Sequence, residues 1–295
     1  MTVPPVSPSS VSPSCESRPL LLVPAGGLAN RMRAVASALA LARDAGRRLR
    51  VIWFRDWALG APFEAVFRRM EEPDVEVTEA RFAHLFTLDR PRRRNACVPR
   101  LWQALRFDAC IYEAAVTPLR RRGFDFKAWL EHARRPYLNT YTDFYPCPDG
   151  LVRTLFRPVD EVGAEVERRA ALLGAGKTVG LHIRRSDHAE AIAESPLQLF
   201  FERVDTDIDA GRCTRLYLAT DDEGVKAEVL ARYGRRVVTA PAEASRGSVG
   251  GIRDGLADML TLARTSVIYG SAGSSFSEMA ARIGGVPLEV LRQSR

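Results

Sequence analysis

The stretch Thr178–Asp187, TVGLHIRRSD, decides how this chain is read. Val179, Leu181 and Ile183 alternate with Gly180, His182 and Arg184, the period of two expected of a buried strand. The alternation places His182 and Arg184 on one face. Arg185, Ser186 and Asp187 fall just past the strand, where open α/β sheets bind their ligands. Two adjacent guanidinium groups there form a cationic site suited to phosphate, each a planar fork of donors that keeps its charge. The stretch alone leaves a second reading open, in which Arg184 and Arg185 pair with Asp187 or other carboxylates at the surface.

Working outward, strands and helices alternate. Val159–Leu173 is predicted as a helix with Val162, Val166, Ala170 and Leu173 on one face. After the opening strand come a helix over Pro196–Asp209, a strand Arg215–Ala219, a helix Asp222–Tyr233 and a strand Arg236–Thr239. A glycine-rich loop (Arg246–Gly251) leads to a helix Asp254–Ala263, a strand Ser266–Tyr269, a helix Ser275–Ile283 and a strand Leu288–Leu291. This order is that of a doubly wound α/β domain. A similar unit opens the chain. Strand Leu20–Val23 runs into the turn Pro24–Gly27, a helix from Leu28 to about Gly46, and strand Leu49–Phe54, which requires a parallel sheet. The expected organisation is a tail over 1–18, a first Rossmann-like domain over 19–158 and a second over 159–295. Between Trp57 and Asp149 the pattern is weak, with Tyr137–Tyr141 as the one candidate strand.

The chain has 295 residues, enough for two ordinary domains, and its 46% hydrophobic content suits a real core. The net charge of +7 favours an anionic partner. The arginines are interleaved with acids, which argues against a nucleic-acid stripe. Five cysteines without a CxxC pair argue against a disulfide framework and a zinc site. No apolar run is long enough to span a membrane, and the Pro/Ser-rich start lacks the features of a signal peptide, so a disordered tail and a cytoplasmic setting are expected.

Three further motifs sit at predicted strand ends. Gly26 and Gly27 allow close backbone approach to an anion at a helix start, or form an ordinary tight turn; Asn30 either reaches a ligand or assists capping. Thr220 and Glu223 read as a capping box, with Asp221 and Asp222 in the helix first turn or ordering the arginine pair. Ser275 and Glu278 read as another, although Ser274, Ser275 and their glycine also make an anion receptor. Asp258 is either solvated or accepts two hydrogen bonds from a guanine edge.

In this order and spacing, GGLANR (Gly26–Arg31), HIRRSD (His182–Asp187), YLATDD (Tyr217–Asp222) and SSFSEMA (Ser274–Ala280) resemble the fucosyltransferase superfamily. That superfamily includes the nodulation fucosyltransferases, the α1,6-fucosyltransferases and the protein O-fucosyltransferases. The match covers about Leu20–Phe54 and Thr178–Gly284 and leaves the middle, where acceptor contacts are expected, unmatched. The resemblance implies a GT-B-like fold, two Rossmann-like domains facing a cleft. It implies an inverting, metal-independent transfer of fucose from GDP-fucose to a glycan hydroxyl, with no cofactor. Carried onto matching positions, Arg184 holds the β-phosphate, and His182 and Asp258 contact the guanosine end. Ser274, Ser275 and Phe276 line the phosphate and base pocket. Gly26, Gly27 and Asn30 approach the donor from the other domain. Arg185, Asp187, Asp221 and Asp222 complete the catalytic group. The α1,6-type relatives have a glutamate soon after the arginine motif; here Glu190 and Glu194 are near without aligning, and His188 is a third candidate, so the base stays unassigned. The alternatives are a GT-B transferase for another nucleotide sugar and a non-catalytic nucleotide- or glycan-binding protein.

Overall fold

The computed structural model describes residues 18–88, 100–174, 176–185, 189–241 and 245–293, the side chains of 100, 101 and 189–191 excepted. The expected tail, the basic cluster Pro91–Asn95, Asp187 and His188 lie outside the described residues, as does the Glu190 side chain.

Strand β1 (Leu20–Pro24) ends at Gly26, whose φ of +79° favours glycine over any residue with a side chain. Helix α1 (Leu28–Asp44) follows and is buried on nearly every side. Its alanines permit this: Ala34, Ala36, Ala38 and Ala42 are fully enclosed and let neighbours approach closely. Then come β2 (Leu49–Trp53), β3 (Val75–Glu79), α2 (Arg100–Arg106), β4 (Ala109–Ile111), α3 (Glu113–Arg121), α4 (Phe126–His132) and β5 (Pro136–Thr140). The strands form a parallel sheet in the order β3-β2-β1-β5-β4. Leu20 and Leu22 pack with α1, whereas Leu21 and Val23 pack with an aromatic layer that includes Phe107 and Tyr137. A 3₁₀ helix over Phe82–Thr87 and α2 cover that second face.

The second half runs α5 (Asp149–Leu155), α6 (Asp160–Leu173), β6 (Thr178–Ile183), α7 (Ala189–Glu194), α8 (Leu197–Asp209), β7 (Arg215–Thr220), α9 (Glu223–Tyr233), β8 (Val237–Thr239), α10 (Val249–Leu262), β9 (Val267–Gly270), α11 (Ser275–Gly284) and β10 (Leu288–Val290). Its strands are again parallel, in the order β10-β9-β6-β7-β8. β6 is central and buried along its whole length, as its alternation predicts. Gly180 and His182 face α10 and α11, because Gly180 lies against Leu262 and Thr265 and His182 against Phe276. Val179, Leu181 and Ile183 join the apolar cluster of α8 and α9 on the other face.

Three expectations change. Helix α10 starts at Val249, not Asp254, because Ser248 caps it by accepting from the Gly251 amide. The glycine-rich run is partly helix: a Cβ on Gly251 would sit 2.2 Å from the Ser245 carbonyl oxygen, so close approach, not looseness, requires glycine. Thr220 is not the cap of α9. Asp222 is, accepting from the Val225 amide, while Thr220 accepts from the Asp222 amide. Ser275 does not form a capping box with Glu278; Ser274 occupies the cap position and Glu278 pairs with Arg33 of α1.

One apolar cluster runs through both halves, from Leu22 and Leu39 to Leu256 and Met279. Phe67 packs on Phe156 with ring centroids 5.1 Å apart and bridges Pro158. The loop after β2 meets the segment after β8, with the Gly60 amide donating to the Arg246 carbonyl at 2.9 Å. Among the described residues no helix is long and apolar enough to cross a membrane, and no group of three or more His, Cys, Asp or Glu could hold a metal ion.

Candidate functional site

The C-terminal end of β6 meets those of β7 and β9, and polar groups from all three hold the arginine segment. The Arg184 amide donates to Ser271 Oγ at 3.1 Å, and the Arg185 amide donates to Asp221 Oδ1 at 2.7 Å. Ser271 and Asp221 thus lock the backbone on which Arg184 stands. Arg185 is expected as the second cation of the pair. Its guanidinium folds back and donates to the carbonyls of Arg184 and Ser195, at 3.1 and 2.8 Å. Burial lowers its pKa, with Asp222 and Asp221 opposing. The reason is packing. Ser195 is wholly buried, donates to the Leu291 carbonyl and accepts from the Ala272 amide, so its own carbonyl is fixed where Arg185 reaches it. The expected pair divides into one arginine at the strand mouth and one that braces it. Asp221 organises this loop, and Asp222 is occupied as the cap of α9.

His182 lies in the next layer. Its ring is 7% exposed and stacks on Phe276, centroids 4.6 Å apart at 24°. Nδ1 hydrogen-bonds Ser274 Oγ at 3.2 Å. Burial pushes the imidazole pKa down to about 3, the charge of Arg184 adding to the effect, so the ring is neutral at physiological pH. The bond to His182 has a consequence for α11. Ser274 is at the cap position, yet no side-chain cap bond is made because its hydroxyl is turned to the histidine. The amides at the start of a ten-residue helix therefore lack their usual partner, where the dipole favours an anion. Gly273, with φ +65°, makes the turn into this helix.

Asp258 is neither solvated nor loose. Its Oδ1 accepts from Tyr217 Oη at 2.6 Å and from Arg169 Nη1 at 2.7 Å. Arg169, from α6, is buried and also pairs with Glu165 at 2.6 Å and Asp254 at 3.0 Å. Three carboxylates share one guanidinium. Burial raises the Asp258 pKa to about 6 against the pull of Tyr217 and Arg169, and Asp254 pushes it further. Burial alone would lower the Arg169 pKa, but Tyr217, Asp258 and Glu165 raise it, so the guanidinium stays charged. The sequence reading missed Arg169 and Tyr217. An arginine inside an amphipathic helix and a tyrosine within a strand look like surface and core.

On the first sheet, Gly26 and Asn30 touch each other: a Cβ on Gly26 would meet the Asn30 amide nitrogen at 3.0 Å. Asn30 Oδ1 is buried without a hydrogen bond. Gly27 precedes α1 in an extended conformation, near the Ala58 carbonyl. Arg31, quoted within the motif but assigned nothing, holds this turn. It is fully buried, donates to the Gly26 and Phe54 carbonyls, pairs with Asp56 at 2.9 Å and lies 5.0 Å from the Trp53 ring centre. Burial lowers its pKa, and Asp56 opposes. The Arg33–Glu278 pair at 3.4 Å ties α1 to the first turns of α11, which brings the glycine turn and the Ser274 helix start to the same side of the molecule. Of the base candidates only Glu194 has a described side chain; it lies 3.9 Å from Arg292.

Compared by sequence, the chain matches no family model and no curated protein. Compared by structure, it is similar to solved fucosyltransferases. The NodZ alpha-1,6-fucosyltransferase soaked with GDP-fucose superposes with a TM-score of 0.61 at 18% identity, over 92% of this chain and 94% of that one. A Bradyrhizobium NodZ structure gives 0.59 at 18%. A mutant of Arabidopsis thaliana FUT1 in complex with GDP gives 0.59 at 15%, covering 92% of this chain and 70% of that one. POFUT1 in complex with GDP-fucose gives 0.51 at 14%, over 92% and 97%. At this identity the likeness establishes the fold.

Proposed function

We propose that this chain is a glycosyltransferase that moves fucose from GDP-fucose to a glycan hydroxyl, with inversion and without a metal ion. In this reading the two sheets are two Rossmann-like domains of a GT-B fold facing a cleft. Residues 19–158 take the acceptor side and residues 159–295 bind the nucleotide. The observation that carries the proposal is the loop after β6: Arg184 stands on a backbone held by Ser271 and Asp221, next to the uncapped start of α11.

The chemistry follows from charge. An acceptor oxygen attacks the anomeric carbon opposite the nucleotide. The carbon–oxygen bond to the β-phosphate breaks, and the electron pair leaves with GDP. Positive charge grows on the sugar and negative charge on the β-phosphate. Arg184 and the α11 amides strengthen their hold as that charge develops, which is stabilisation of the transition state. In this reading the guanosine packs beside the stacked pair His182 and Phe276, whose neutral imidazole adds no charge to the base pocket. Asp258, tied through one oxygen, keeps the other for neighbouring N–H groups of guanine. Gly26, Gly27 and Asn30 approach the donor from the first domain. Glu194, Glu190 and His188 remain the candidates to take the acceptor proton. A cytoplasmic setting and a glycan acceptor belong to the same proposal.

The test is release of GDP and of fucosylated product from GDP-fucose with a glycan panel. Arg184→Ala should lose about 10²–10³ in turnover, as for loss of one oxyanion donor, with unchanged melting. Arg184→Lys should recover part of it, since it restores charge but not the fork. Near-normal turnover by Arg184→Ala would overturn the assignment. A wild-type chain that is stabilised by UDP- or ADP-sugars and not by GDP-fucose would move the proposal to another donor.

A further inference from the structure

A cavity of about 330 Å³ opens on the face of the first sheet that α2 and the Phe82–Thr87 helix cover. Its floor is Leu21 of β1, Ile52 of β2 and Pro136 at the start of β5, and its walls include Trp102 of α2 and Phe107. Leu21 and Pro136 lie near the starts of their strands and Ile52 on the same sheet face, under the aromatic layer, and none of Gly26, Asn30, Arg184 and Ser271 lines the cavity, so it is separate from the site described above.

Its charge is one-sided. Arg18, Arg50, Arg106 and Arg135 all line it, and among the described residues none of the lining is an acid. Arg50 pairs loosely with Glu76 at 4.0 Å; its side chain is 43% exposed, but its Nε is buried without a hydrogen bond. A buried N–H without an acceptor is costly, and the Nε–H of Arg50 is satisfied when an oxyanion arrives. His84, also in the lining, has its pKa lowered by burial and by Arg50 and Arg81, which is the sign of a positive field there. Beneath the charge the surface is flat and apolar. Indole and phenyl walls accept a planar ring, over whose face the guanidinium groups stack favourably.

We propose that this cavity is a second small-molecule site, for a planar aromatic ring carrying a phosphate monoester. The ring lies between Trp102 and the Ile52 floor, and the phosphate meets Arg50 and Arg106. The volume is at the low end for ligand sites and suits one ring system with its phosphate, not a whole nucleotide sugar. Free nucleoside monophosphates and other aryl phosphates share this chemistry.

The test is calorimetric titration of the full chain with 1-naphthyl phosphate in saturating GDP, so that the nucleotide site is filled. One equivalent should bind, and uncharged 1-naphthol should bind at least tenfold more weakly. AMP displacing the probe would identify nucleotides as a source, and phenyl phosphate alone displacing it would point to simpler aryl esters; displacement by neither would overturn the class. Arg50→Gln with Arg106→Gln should weaken the probe at least tenfold. Ala83→Trp, at an exposed position of the same lining, should block it without touching the charges. Folding is checked by melting and by retained GDP binding. Absence of binding by wild type, equal binding of naphthol, or unchanged binding by both variants would overturn the proposal, and none of these results bears on Arg184.

Discussion

Asp258→Asn separates stability from function most sharply. The folded carboxyl titrates near 6, against an ordinary value of 3.8. Its charged form is therefore disfavoured in the fold by roughly 3 kcal/mol, at about 1.4 kcal/mol per pKa unit. Because the folded pKa is raised, the associated stability is fully present below about pH 3.8 and is lost as pH rises through about 6. Above pH 6.5 the wild type carries the whole penalty. Asparagine keeps the shape and can still accept from Tyr217 and Arg169, while Arg169 keeps Glu165 and Asp254. The variant should therefore melt about 6–12 °C higher at pH 7.5, with 1 kcal/mol worth roughly 2–4 °C, and match wild type near pH 4. His182 works the other way, its lowered pKa removing stability as pH falls below about 6.5, but it is common to both proteins and drops out of the difference. If Asp258 reads guanine, the same variant should bind GDP about 10- to 100-fold more weakly, the loss expected of a charged hydrogen bond. The assays are melting from pH 4 to 8 and GDP titration. A variant that melts lower than wild type at pH 7.5 with an unchanged pH difference would refute the energetic reasoning. Unchanged GDP affinity would refute the guanine contact.

Arg31→Met should cost about 3–5 kcal/mol in urea unfolding, because it strands two carbonyls and the Asp56 partner around a buried site. Ser274→Ala leaves His182 Nδ1 without its hydroxyl partner and should cost about 1–3 kcal/mol, read by melting. Gly60→Ala puts a methyl group 2.7 Å from the Gly247 carbonyl oxygen; a loss of about 1–3 kcal/mol is expected, with a raised donor KM as the two halves separate. Arg185→Gln removes the brace to Ser195 but not Arg184, so kcat should fall and donor KM should change little, checked by steady-state kinetics.

The alternation at Val179, Leu181 and Ile183 and the repeated strand–helix order were enough to draw the second parallel sheet and β1, β2 and β5 of the first, since each strand and helix carries its own local period; β3 and β4 were not read. Boundaries in the second half agree to within a few residues, except at α10, where glycines serving close contact look like glycines of a loop. The middle was hard to read. β4 has three residues, α2 and α4 seven each, and Pro118 lies inside α3, so periodicity has too little length to register.

Local sequence therefore determined the strands and helices of the second half and of the opening β1–α1–β2 unit, and which of their strand ends carry polar residues. It did not determine which arginine does what. Arg31, Arg169 and Arg185 each find acceptors presented by segments distant in the chain, at Phe54, Asp258 and Ser195. A guanidinium reaches about 6 Å from its backbone, so its partner is set by which carbonyl or carboxylate packing brings within that radius. Only the folded chain decides that.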